Sequence, residues 1–199
     1  MKLFFVALLM GLVALPCLTQ ASDEAPASAD IARNNILNTV NRGTTFTSKN
    51  QQYQILQGVV AAKGLSNELP QQTLARLGSS GQIIETKGSY VVYKSSQQTA
   101  LAVSNTITST TFPTVVNKQT GVTGILPGTI TVKLKNTSNS INIAKAHGLT
   151  LVKEFAHLQT AFFSVKAGQD VVAAAATLNA DSSVISAEVE VIEHVRVPN

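Results

Sequence analysis

The side chains able to do chemistry are few, and their spacing argues against catalysis. His147, His157 and His194 do not fall at metal-ligand intervals, so no metal site is expected. Gly78-Ser79-Ser80-Gly81 has the residue types of a nucleophile elbow without its Gly-x-Ser-x-Gly order, and reads as a loop. No glycine-rich phosphate loop occurs, and no cofactor is expected. His147 falls at the end of a predicted helix, where it can partner the helix dipole. What remains is a pair of carboxylates, Glu188 and Glu190, two residues apart in an alternating segment. Such a pair shares one face of a strand. It is charge on display, either solvated or set to meet a partner, and the chain is not expected to be an enzyme.

The elements that position this pair lie between Thr129 and Asn199 and read as strand, helix, strand, strand, helix, strand. In the first strand, Thr129 to Lys135, Ile130, Val132 and Leu134 alternate with Thr131, Lys133 and Lys135. A helix from Ser140 to His147 offers Ile141 and Ala144 on one face, and Gly148 stops it. Leu149 to Phe155 and Thr160 to Val165 are the middle strands. The second helix carries Val171, Ala174, Ala175 and Leu178, a full apolar stripe. In the last strand, Val184 to about Val195, Ile185, Ala187, Val189 and Val191 should meet the helices, while Ser186, Glu188 and Glu190 point away. The fold class is therefore α+β, with a C-terminal ferredoxin-like βαββαβ sandwich. Its open face would carry the two carboxylates beside Thr131, Lys133, Thr150 and Glu154, with Val152 among them. Such a face is either wet or docked.

Residues 31–116 form a smaller, strand-rich α+β region. Ile31 to Val40 permits a helix, Tyr53 to Ala62 is helical or strand-like, and Pro70 to Leu77 is a short helix closed by Gly78. A hairpin is expected from Ile83 to Tyr93, turning at Lys87-Gly88. Strand-like character continues through Ala100 to Val103 and Thr106 to Val116. Residues 117–128, with Gly121, Gly124, Pro127 and Gly128, read as a linker.

The N-terminus reads as an export signal. Lys2 precedes an apolar run from Leu3 to Leu15, too short to span a bilayer, and cleavage is expected after Ala21. Pro16 before Cys17 argues against a lipoprotein signal. Residues 22–30 read as a disordered leader. Removing residues 1–21 removes the one cysteine, so the mature protein can form no disulfide. The expected location is secreted or periplasmic. The formal charge is +4, but the basic residues are scattered and tryptophan is absent, which excludes the clustered basic-aromatic surface of a nucleic-acid binder. No membrane association is expected after cleavage.

Residues 129–195 resemble the propeptide domain of subtilisin-like serine proteases. The resemblance is carried by Gly128-Thr-Ile-Thr-Val-Lys-Leu-Lys135, by Ala146-His-Gly-Leu-Thr-Leu-Val-Lys153, and by Leu178-Asn-Ala-Asp-Ser-Ser-Val184 running into Ala187-Glu188-Val189-Glu190. No Asp, His and Ser motifs of a subtilase triad accompany them. The whole chain is therefore similar to the external chaperones of secreted Gram-negative subtilases of the Aeromonas serine protease type. This resemblance implies a chaperone and inhibitor supplied in trans, a monomer alone and 1:1 with its protease. It implies that the open sheet face packs on two protease helices, with Glu188 and Glu190 capping their N-termini. It also implies that His194, Val195, Arg196, Val197, Pro198 and Asn199 lie substrate-like in the cleft, with either Arg196 or Asn199 in the primary specificity pocket. The alternative from another class is a secreted or periplasmic peptide- or protein-binding module unrelated to proteases.

Overall fold

A computed structural model describes residues 25–96, 107–108 and 110–194. The expected signal peptide, the strand at Ala100 to Val103 and the tail from Val195 to Asn199 lie outside these residues. Among them the fold is α+β with antiparallel sheets.

The N-terminal sheet is organised by one long strand. Helix α1 (Ala25–Asn38) leads into β1 (Arg42–Ser48) and β2 (Gln51–Lys63). Helix α2 (Pro70–Arg76), β3 (Gly81–Lys87), β4 (Tyr90–Ser95), β5 (Thr111–Asn117) and β6 (Thr123–Ile125) follow. The strand order is β3-β4-β2-β5-β6, and β1 also pairs with β2. One edge of β2 serves two partners: residues 51–56 take β1 and residues 59–63 take β4. Gly58, at φ +79°, sits between the two, in the stretch where the pairing with β5 also shifts register. Glycine is the residue that can take this left-handed turn inside a strand. Leu37 of α1 and Val40, just beyond its end, pack on Leu56, Val59, Ala61, Val92 and Ile125, while Leu74 of α2 packs with Ala62, Val91 and Tyr93.

Helix α1 corrects the expected leader, because it begins at Ala25 rather than at Ile31. The alanines of residues 25–29 are the best helix formers, and Pro26 falls in the first turn, where its missing N–H costs nothing. The 53–62 segment, left open between helix and strand, is strand. The hairpin expected to turn at Lys87-Gly88 turns at Gly88-Ser89, because Lys87 pairs with Tyr90. Residues 117–128 are not a linker. They contain β6, and Ile125 and Leu126 are fully buried. Their glycines mark a hairpin turn and the passage into the next sheet.

The C-terminal unit comprises β7 (Thr129–Leu134), α3 (Ser140–Ala146), β8 (Thr150–Phe155), β9 (Thr160–Ser164), α4 (Val171–Asn179) and β10 (Val184–Val189). Its strand order is β10-β7-β9-β8. Asp170 caps α4 by accepting from the amides of Val172 and Ala173 at 2.8 and 3.1 Å. Ile130, Val132, Leu134, Phe163, Val171 and Leu178 are the centre of the core. That core continues without a break into Tyr53, Ile55, Val115 and Leu126 of the other sheet.

Three expectations about side-chain facing need correction. Ile141 is exposed and Ile143 is buried in its place. α3 spans only two turns and follows a 3-10 turn at Thr137–Asn139, so its apolar face is set by that entry rather than by a long stripe. Ile185 is exposed, because the β10–β7 register slips between Val184 and Ser186. Glu154 faces the helices, where its carboxylate accepts from the Ser140 hydroxyl. The cause is a second slip, between Leu151 and Lys153, that leaves Val152 as the extra, exposed residue. A one-residue bulge turns every later side chain to the opposite face. The last strand ends at Val189 rather than near Val195.

Candidate functional site

The face of the four-stranded sheet away from α3 and α4 is fixed by the register of its strands. Glu188 stands opposite Thr131, and Thr131 stands opposite Phe162. Phe162 in turn pairs with Lys153. Glu188, Thr131 and Phe162 are half-buried, whereas Lys133, Thr150 and Lys153 are exposed. Phe155 meets Phe162 edge to face, with ring centres 5.8 Å apart. It meets His157 in the same manner at 6.3 Å. Lys153 Nζ lies 4.7 Å from the centre of the Phe155 ring. An exposed cation–π contact contributes about 0.5–1 kcal/mol, so this cluster is a lightly held display rather than a buttress. The face is thus divided. Carboxylate stands at the β10 edge, and aromatic rings with lysines stand towards β8.

Glu188 stands opposite the Thr131 hydroxyl, and among the described residues no group of three or more His, Cys, Asp or Glu could hold a metal. The face can recognise. Aromatic rings supply apolar area, and the carboxylate can accept from a helix N-terminus or a cationic group.

Glu190 has the same parity as Glu188, but it stands where the chain leaves the sheet. Its amide donates to the Thr129 carbonyl at 2.9 Å. Its side chain helps line a hollow of about 380 Å³ with Lys49, Gln51, Tyr53, Glu193 and His194. Burial, and after it the nearby Glu190 carboxylate, raises the Tyr90 phenol above its ordinary pKa. His194 is exposed at the rim of this hollow. Val195, Arg196, Val197, Pro198 and Asn199 lie outside the described residues. The structure therefore gathers Glu188 with the open face, and Glu190 and His194 with the root of the tail.

Sequence reasoning missed Glu193 and Asn117. Asn117 is fully buried and donates from Nδ2 to Glu193 Oε1 at 2.9 Å and to Gln51 Oε1 at 2.7 Å. Tyr53 donates its hydroxyl to the same Gln51 oxygen at 2.7 Å. Burial, then Glu193, pushes the Tyr53 phenol up to about 12. No periodicity marks Asn117, which closes a β-turn by accepting from the amides of Gln119 and Thr120. Its sequence signal is only that of a loop asparagine.

Comparison with curated proteins returned no match. Among solved structures, the chain is similar to one in the crystal structure of the Aeromonas sobria serine protease (ASP) and chaperone (ORF2) complex. The identity is 14%, the TM-score is 0.40, and the match covers 78% of this chain and all of that one. Residues 41–197 match the model of the family described as the open reading frame 2 N-terminal domain, and the chain belongs to that family.

Proposed function

We propose that this protein is a non-catalytic folding chaperone and inhibitor of a secreted subtilisin-like serine protease, acting in trans as a 1:1 partner. The observation that carries this reading is the open face of the four-stranded sheet, with Glu188 at one side and Phe155, Phe162 and Lys153 at the other. The order β10-β7-β9-β8 with both helices on one side suits a ferredoxin-like unit of the propeptide kind. In this reading the face packs on surface helices of the protease, and Glu188 caps a helix N-terminus, where free N–H groups favour negative charge. The chain then continues through Glu190 and His194 into residues 195–199. These lie in the cleft as an added strand, with Arg196 or Asn199 at the primary pocket. Export after cleavage at Ala21 would bring the two proteins together outside the cytoplasm.

Folding assistance has the same source as inhibition. A partner that binds the native protease and not its unfolded chain stabilises the native state by mass action. An interface of roughly 1,600 Å² is the usual size for such a complex.

The test is a titration of the purified protein against secreted subtilisin-like proteases, subtilisin among them. Inhibition at sub-micromolar concentration is expected from at least one, and deleting residues 195–199 should weaken it by more than about tenfold. Full inhibition by the truncated protein would remove the tail from the mechanism. Equal recovery of active protease with and without this protein during refolding would remove the chaperone role.

A further inference from the structure

The chain changes sheets at Val191. Glu190 still bonds to Thr129 of β7, but Ile192 exchanges both backbone hydrogen bonds with Ile125 of the N-terminal sheet, at 3.0 and 2.9 Å. The next residue is held from two further directions. Lys87 Nζ donates to the Glu193 carbonyl at 3.0 Å. Asn117 Nδ2 donates to the Glu193 carboxylate at 2.9 Å. Space is also reserved for this path: a β-carbon on Gly124 would lie 2.5 Å from Val191 Cγ1 and 3.0 Å from Val115 Cγ2. Residues from β3, β5 and β6 thus converge on three consecutive positions, immediately before the chain reaches His194.

We propose that the N-terminal sheet is a clamp that fixes the direction in which the chain leaves at Glu193, with Asn117 and Gly124 as its positioning residues. The tail then reaches the protease already ordered at its root. Ordering a segment before binding removes an entropic cost from association, so the clamp raises affinity without itself touching the protease. Its functional effect rests on the tail-in-cleft reading above, whereas its existence does not.

Two measurements test it. The first needs no partner. Amide hydrogen exchange at Ile192 should be slow in the unaltered protein and about tenfold or more faster in Asn117→Ala, with Ile130 in the four-stranded core unchanged. Unchanged exchange at Ile192 would overturn the clamp. The second is a double-mutant cycle in protease inhibition, combining Asn117→Ala with deletion of residues 195–199. Asn117→Ala should weaken inhibition about tenfold in the full chain and no more than about twofold in the truncated one. Equal losses in both backgrounds would overturn the clamp's action through the tail and leave Asn117 a mere structural weld. If truncation alone changes nothing, the tail reading fails, and the clamp is then judged by exchange. Glu193→Ala, at a half-buried position, replaces Asn117→Ala in both measurements if that variant does not fold, with the same expected results.

Discussion

Asn179 hydrogen-bonds both backbone groups of Ala187 at once. Its Nδ2 donates to the Ala187 carbonyl at 2.8 Å, and its Oδ1 accepts from the Ala187 amide at 2.7 Å. β10 is an edge strand, so among the described residues these groups have no neighbouring strand. A side-chain amide from the end of α4 takes that strand's place, and nearby the Ser48 hydroxyl covers the Val189 carbonyl at 2.6 Å. Unpaired edges invite association with other chains. Asn179→Ala should therefore cost about 1–3 kcal/mol, the usual penalty for a buried amide and carbonyl left unsatisfied. Urea unfolding measures it, and a loss below about 0.5 kcal/mol would show that water replaces the side chain without cost.

Glu188→Lys separates docking from folding. The side chain is half-buried and makes no hydrogen bond or ion pair with another described residue, so stability should move by less than about 0.5 kcal/mol. Inhibition of the protease should fall at least about tenfold, because a cation would then face the positive end of a helix. Undiminished inhibition would take Glu188 out of the interface.

A third prediction concerns acid. His147 Nε2 lies 2.9 Å from Asp181 Oδ2, joining the end of α3 to the turn before β10. The His147 hydrogen bond, and next the Ser183 amide, hold the Asp181 carboxyl below its ordinary pKa. A depressed folded-state value means that its stabilisation is present above the ordinary aspartate value of about 3.9 and is lost as pH falls below it. The stability gap between the unaltered protein and Asp181→Asn should close as the pH is taken below about 4. A gap that does not change with pH would mean that the pair contributes through packing alone.

At the alkaline end, Tyr53 is the group to follow. Its phenol titrates near 12 in the folded protein, against about 10 in an unfolded chain. A raised folded-state value keeps its contribution whole below about 10 and loses it as pH rises through 12. Tyr53→Phe should flatten the fall in stability across that window, as read from urea midpoints. The same slope in both proteins would place the alkaline loss elsewhere.

The C-terminal unit was legible because its strands alternate cleanly and α4 carries a four-residue stripe. Ile130, Val132 and Leu134 could face only one way. What was not legible were the bulges. Nothing in Leu151-Val152-Lys153 or Val184-Ile185-Ser186 announces an extra residue, so strict alternation puts Glu154 and Ile185 on the wrong faces. The N-terminal sheet was harder for a different reason. β1 and β2 are joined by Lys49-Asn50, both at positive φ (48° and 62°), a turn usually signalled by Asn-Gly. β2 has both Ile55 and Leu56 buried, which defeats a period-two reading. Of the candidate site, Glu188 could be found by parity alone. Asn117 and Glu193 meet across 76 positions of sequence, and no local pattern records that contact.

The change of sheets at Val191 also has a mechanical meaning. A load applied to the chain beyond His194 is carried first by the Ile125–Ile192 bridge and then by the pairing of β10 with β7, strained along their length. The bridge is a single residue pair and the β10–β7 ladder is longer, so tension at that end should release the molecule in two steps, the bridge before the ladder.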